Sequence, residues 1–139
     1  MRQQVIFAVL TMITAEFPTA LSAAEGIPHT CRWDPPTAQS HHQTGTVTLS
    51  FCIKENGYLE KLDVSDSSGF PELDRAAMWC ASHWHYLPAR QKGVPIEVPW
   101  CASVTWTDTS EGDRHISVTE IPQDLTEPII SRACGAPIS

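Results

Sequence analysis

Basic residues are scarce in this chain. Lys and Arg number 9 against 16 Asp and Glu, a net charge of -7 over 139 residues, and they form no cluster. Nucleic acids and anionic membrane surfaces both require a basic patch, so neither is expected as a partner. Catalytic signatures are missing as well. There is no Gly-x-Ser-x-Gly elbow, no His-Glu-x-x-His helix and no glycine loop for phosphate. The cysteines include no Cys-x-x-Cys redox pair. A long apolar run is also lacking. The stretch from Val5 to Ala15 falls short of the roughly 20 residues of a membrane span, and Glu16 and Pro18 break it further.

The N-terminus instead carries Arg2, that short apolar run, and then Ala20, Ser22, Ala23 and Ala24. This is the pattern of a secretory signal peptide, with cleavage expected after Ala23 or Ala24. Residues 1–24 are therefore expected to be removed. An uncleaved anchor is the rival reading. All five cysteines (Cys31, Cys52, Cys80, Cys101 and Cys134) follow the cleavage site. An exported chain meets an oxidising compartment, so disulfides are expected, and the odd count leaves one thiol over.

Residues 25–44 read as an irregular lead-in, with a short helical turn over Thr37–Gln43 and a solvated pair at His41-His42. Residues 45–106 carry the pattern of a domain. Val47, Leu49, Phe51 and Ile53 alternate with Thr46, Thr48, Ser50 and Cys52, which predicts a half-buried strand. Asn56-Gly57 predicts a hairpin turn into a second strand over Leu59–Ser65. Pro71 suits the first turn of a helix, and Leu73, Ala76, Ala77, Cys80 and Trp84 form one apolar face. Pro88 ends the helix region. A last strand then aligns Ile96, Val98, Trp100, Ala102, Val104 and Trp106 on one side. Residues 107–139 read as a polar tail, with a short extra strand at His115–Ile121.

These faces predict an α+β fold: a three-stranded antiparallel/mixed sheet in the order 2-1-3, with one main helix packed on one face. The third strand would be an edge with unpaired backbone groups. Cys52 and Cys101 would share the face away from the helix, so a Cys52–Cys101 disulfide is expected. Cys80 would then be a buried thiol and Cys31–Cys134 would tie the ends together, with Cys31–Cys80 as the competing pair. Cys80, His83 and His85 suggest a metal at first sight. Helix geometry turns His85 away and no fourth ligand is suitably spaced, so no metal or cofactor is expected. Trp84, Trp100 and Trp106 read as core. Trp79 lies off the apolar stripe and is the expected contact aromatic.

In sequence order, this stretch resembles the C-terminal domain of the TonB energy-transducer family. The matching features are Asp34-Pro35, Ala38 and Gly45; the hairpin Asn56-Gly57; and Ser67-Ser68-Gly69 followed by Leu73-Asp74-Arg75-Ala76-Ala77. Trp84-His85-Tyr86-Leu87-Pro88-Ala89 and Gly93-Val94-Pro95 complete them. The resemblance implies a non-enzymatic periplasmic binding module that takes an extended peptide by β-augmentation. Its partner would be an envelope protein, such as the plug segment of an outer-membrane transporter, with no small-molecule substrate. The implied contacts lie along the third-strand edge at Val94, Ile96, Val98 and Trp100, where Pro95 and Pro99 remove donors.

The sequence departs from the family in its short lead-in, its cysteines and its tail, and Asp34 stands where the family has an aromatic residue. Those departures keep three alternatives open. One is a membrane-anchored transducer. Another is an envelope assembly factor, dimeric through a disulfide or an edge strand. The third is an enzyme or metal carrier using Cys80 and His83.

Overall fold

The alternating residues from Gly45 onward form β1 (Gly45–Ile53), whose Val47, Leu49, Phe51 and Ile53 are 0–4% exposed. The Asn56-Gly57 turn follows, closed by Gly57 N–H donating to the Lys54 carbonyl at 2.8 Å. Gly57 has φ 86, and a Cβ there would fall 2.1 Å from the Tyr86 carbonyl oxygen. Only glycine meets both demands. The chain returns as β2 (Leu59–Asp66) and breaks at Ser67-Ser68-Gly69. Asp74 organises that break: it accepts from the Ser68 N–H at 2.9 Å, from the Ser68 hydroxyl at 2.7 Å and from Ser67 Oγ. Burial alone would raise the Asp74 pKa, but these donors outweigh it and hold the carboxyl below its usual range.

Helix α2 (Pro71–Ala81) buries Leu73, Ala76, Ala77, Cys80 and Ala81 against the sheet. After it, β3 (Ala89–Gln91) and β4 (Val94–Ile96) form a two-stranded ribbon. The predicted last strand is therefore split. Its first residues belong to the ribbon, and the remainder is the long β5 (Val98–Asp108), with Val98, Trp100, Ala102, Val104 and Trp106 at 0–7% exposure. A further strand, β6 (Arg114–Ile121), follows a tight turn at Thr109–Asp113.

The structure describes residues 29–123, in a computed structural model. Its main sheet has four strands, all antiparallel neighbours, in the order β2-β1-β5-β6. The expected three-stranded order is thus extended by one. The third strand is not an edge over most of its length, because β6 pairs with it from Cys101↔Ile121 to Asp108↔Arg114. The alternation of Ile116 and Val118 placed β6 correctly as a strand, but not as a member of this sheet.

The lead-in is also built into the fold. Cys31 and Ala38 are buried in the core cluster, Ala38 on the short helix α1 (Pro36–Ser40). Cys31 is disulfide-bonded to Cys80, with Cα atoms 5.2 Å apart. The competing pairing is therefore the one formed, and Cys80 is not a free thiol. Closing a loop across 49 residues stabilises the fold by about 4 kcal/mol on the chain-entropy account.

The expected Cys52–Cys101 bridge is absent, and register explains why. Cys52 lies opposite Pro99, and Cys101 opposite Ser50, so the two cysteines are diagonal rather than facing. Diagonal positions are about 7–8 Å apart, beyond comfortable disulfide reach. Cys101 is free and half-buried, whereas Cys52 is disulfide-bonded. The expected Cys31–Cys134 pair is excluded by the bond to Cys80, and Cys134 itself lies outside the described residues.

Candidate peptide-pairing edge

The sheet has two outer edges, β2 and β6, and they differ in kind. Strand β2 is blunted. Its pairing with β1 shifts register between Thr48 and Leu49 and again between Ser50 and Cys52, and Lys61 sits at φ 57. Exposed Glu60, Lys61, Asp63 and Asp66 line it. Bulges and edge charges of this sort oppose the addition of another strand. Strand β6 has no such bulge, and its two charged residues, Arg114 and Glu120, are drawn into ion pairs. It runs eight residues in unbroken register with β5. Among the described residues, its outward backbone groups meet no backbone partner; side chains reach two of its carbonyls, Thr107 that of His115 at 3.4 Å and Gln123 that of Ile121 at 2.9 Å.

Side-chain direction along β6 follows from its register. Ile116 pairs with Trp106 and Val118 with Val104, so both lie on the core face. Both remain only partly buried against the core cluster. Ser117 and Thr119 lie on the opposite face, beside Thr105 and Ser103.

Polar clusters pin β6 at each end. At the start, Arg114 is bidentate to Asp34, with Nε to Oδ2 at 2.9 Å and Nη2 to Oδ1 at 2.8 Å. Its Nη1 donates to the Gln43 carbonyl at 2.8 Å and to Asp108 Oδ1 at 3.1 Å. At the far end, Glu120 Oε1 accepts from the Tyr86 hydroxyl and from Trp100 Nε1, each at 2.8 Å. Its Oε2 lies 2.9 Å from His29 Nδ1. His29 stacks on Tyr86 with ring centroids 4.0 Å apart, and its Nε2 lies 3.1 Å from the His85 carbonyl. Both imidazole nitrogens thus face acceptors, which favours the imidazolium.

Electrostatics match this geometry. Burial lowers the His29 pKa, but the bond to Glu120, the His85 carbonyl and the carboxylate charge outweigh it, leaving it above 6.5. Burial raises the Glu120 pKa, but donation by His29, Trp100 and Tyr86 outweighs that and leaves it below 4.5. Burial, reinforced by Glu120, pushes the Tyr86 phenol up. The result is a charge-assisted clasp between the lead-in, the core and β6.

The four residues expected along an open edge are scattered. Val94 is 60% exposed on β4, and Ile96 pairs with Ala89 in the ribbon. Val98 and Trp100 are buried, opposite Ile53 and Phe51. Only Val98, Pro99 and Trp100 extend beyond the stretch of β5 that β6 pairs with, and Pro99 has no N–H to offer.

The trio weighed for a metal is not assembled. Cys80 is in its disulfide, His83 Nδ1 lies 2.8 Å from the Trp79 carbonyl, and His85 Nε2 lies 3.0 Å from the Asn56 carbonyl. The free Cys101 lines a hollow of about 220 Å³ with Lys61, Pro99 and Gln123, and burial pushes its thiol up. A protonated, half-buried thiol is a poor nucleophile.

The described residues form an antiparallel sheet covered by one main helix, and no catalytic set is assembled among them. The sequence model of the Gram-negative bacterial TonB protein C-terminal family matches residues 35–107, more than half of the 139, and the chain belongs to that family. The family comprises protein-interaction and energy-transduction domains of the Gram-negative periplasm and is not a known enzyme family. No curated protein matches the chain. The family match ends at residue 107, before β6 begins. The expected leader lies outside the described residues, among which no helix is long and apolar enough to cross a membrane.

Proposed function

We propose that this protein is a periplasmic interaction module that binds an extended segment of an envelope or outer-membrane transport protein. The segment pairs with the outer edge of β6 as a fifth strand. One observation carries this reading: among the described residues β6 is a regular edge with no strand beyond it, while the opposite edge is blunted. The family likeness supports an extended protein segment as the ligand. In this chain the pairing position lies one strand outward of β5, because β6 is fastened through Arg114 and Glu120 and is not readily displaced. A partner with apolar residues at alternate positions would complete the burial of Ile116 and Val118.

The test is amide chemical-shift mapping of isotope-labelled protein titrated with a peptide from the plug segment of an outer-membrane transporter. Shifts concentrated in Arg114–Ile121, with cross-strand contacts to the peptide, are expected. Shifts confined to β2, or a β6–β6 dimer that excludes the peptide, would overturn the reading.

A further inference from the structure

The outer surface carries a second feature, built on α2 and the lead-in rather than on the β6 edge. Trp79, on the outward face of α2, is 55% exposed, and Trp33, on the lead-in, is 46% exposed. Tryptophan buries more apolar area than almost any residue, so two left open side by side call for a cause. The two rings are in contact, with centroids 5.7 Å apart and planes at 44°. They are held there. The Cys31–Cys80 disulfide joins the residue two before Trp33 to the residue after Trp79. His83 packs on Trp79 at 4.5 Å and is itself fixed by the Trp79 carbonyl. Pro35, Thr37, Glu72 and Arg75 complete a groove of about 500 Å³. Among the described residues neither indole N–H meets an acceptor, and neither Glu72 nor Arg75 has an ion partner.

Shape narrows what this groove can hold. The indoles touch each other, so no gap remains between them for a quaternary ammonium, and an aromatic cage is excluded. What remains is a bent aromatic floor beside a proline, with unmatched N–H donors along it. A polyproline II segment suits such a floor. Its pyrrolidine rings stack on aromatic faces, its backbone carbonyls are free to accept, and it is already ordered before binding. Charge selects further: Glu72 is an unpaired carboxylate in a protein of net charge -7, which favours a basic flank. We infer that the Trp33–Trp79 groove docks a proline-rich segment in the polyproline II conformation, with a Lys or Arg placed against Glu72. Arg75, one turn along α2, supplies donors to its carbonyls.

The full chain is titrated with a synthetic peptide of eight prolines flanked by lysines, followed by tryptophan fluorescence and calorimetry. Saturable binding is expected. Trp33→Ala and Trp79→Ala each weaken it at least tenfold, and Trp79→Phe weakens it only a few-fold. Glu72→Gln weakens the lysine-flanked peptide but leaves a glycine-flanked version unchanged. These side chains lie outside the core cluster, so the variants are expected to fold, which melting curves check. Binding survives when the β6 edge is blocked, which separates this groove from the proposed peptide edge. Three results would overturn the inference. One is no saturation at several millimolar peptide. Another is binding indifferent to both alanine variants. The third is a self-associating protein whose dimer Trp79→Ala abolishes, which would assign the groove to a second copy.

Discussion

Glu120 joins three elements through one carboxylate, and His29 is its charged partner. The two groups limit the clasp from opposite sides of the pH scale. Folding raises the His29 pKa above 6.5, so its contribution is complete below that pH and fades as pH rises through the raised value. Folding lowers the Glu120 pKa below 4.5, so its contribution is complete above that pH and is lost as pH falls through the lowered value. The pair therefore holds β6 most firmly between pH 4.5 and 6.5. We expect the melting temperature of the protein to peak in that window, and His29→Gln to flatten the decline on the alkaline side. Parallel alkaline limbs in the two proteins would contradict the clasp. This site was not legible in the sequence. His29 and Glu120 are 91 residues apart, and only the register of β6 brings them together. The departure at Asp34 was visible in the sequence, but its partner Arg114, 80 residues on, was not. Nor could the sequence settle the cysteines. A two-residue offset between β1 and β5 separates a bridge from a diagonal pair, and alternation alone cannot fix that offset.

At the scale of elements, the strand that governs the proposed interaction lies beyond the family match. Successive residues of an edge strand point their N–H groups alternately inward and outward. Val118→Pro and Thr119→Pro therefore test different bonds. One removes a bond to β5 and costs about 1–3 kcal/mol of stability. The other removes only an outward donor, keeps the fold and weakens peptide binding. Equal effects of both variants on stability and binding would count against β6 as the pairing edge. Elements with local signals were readable in advance. The Val47-to-Ile53 alternation, the Asn56-Gly57 turn and the Pro71 helix start all appear where their chemistry places them. The split of the last strand was hidden, because Ile96 and Val98 continue one alternation while only Val98 joins the main sheet.

For the whole molecule, the last strand adds a fourth member to the three main-sheet strands, and the lead-in packs onto the core. Cys31–Cys80 ties the lead-in to the helix, and Arg114 and Glu120 tie the last strand to the lead-in and core. The lead-in is polar and proline-bearing and β6 is mostly polar, so hydrophobic pattern alone read them as lead-in and tail. Together they cover the position where an open third strand would have been. Among the described residues, the outer side of β6 stays open.

The most direct test replaces Thr119 on β6, or Asp63 on β2, with a benzophenone amino acid and irradiates each protein with a bound plug-segment peptide. The present account predicts a cross-link from position 119 and none from 63. A cross-link from 63 alone, or from neither position while the peptide is bound, would contradict it.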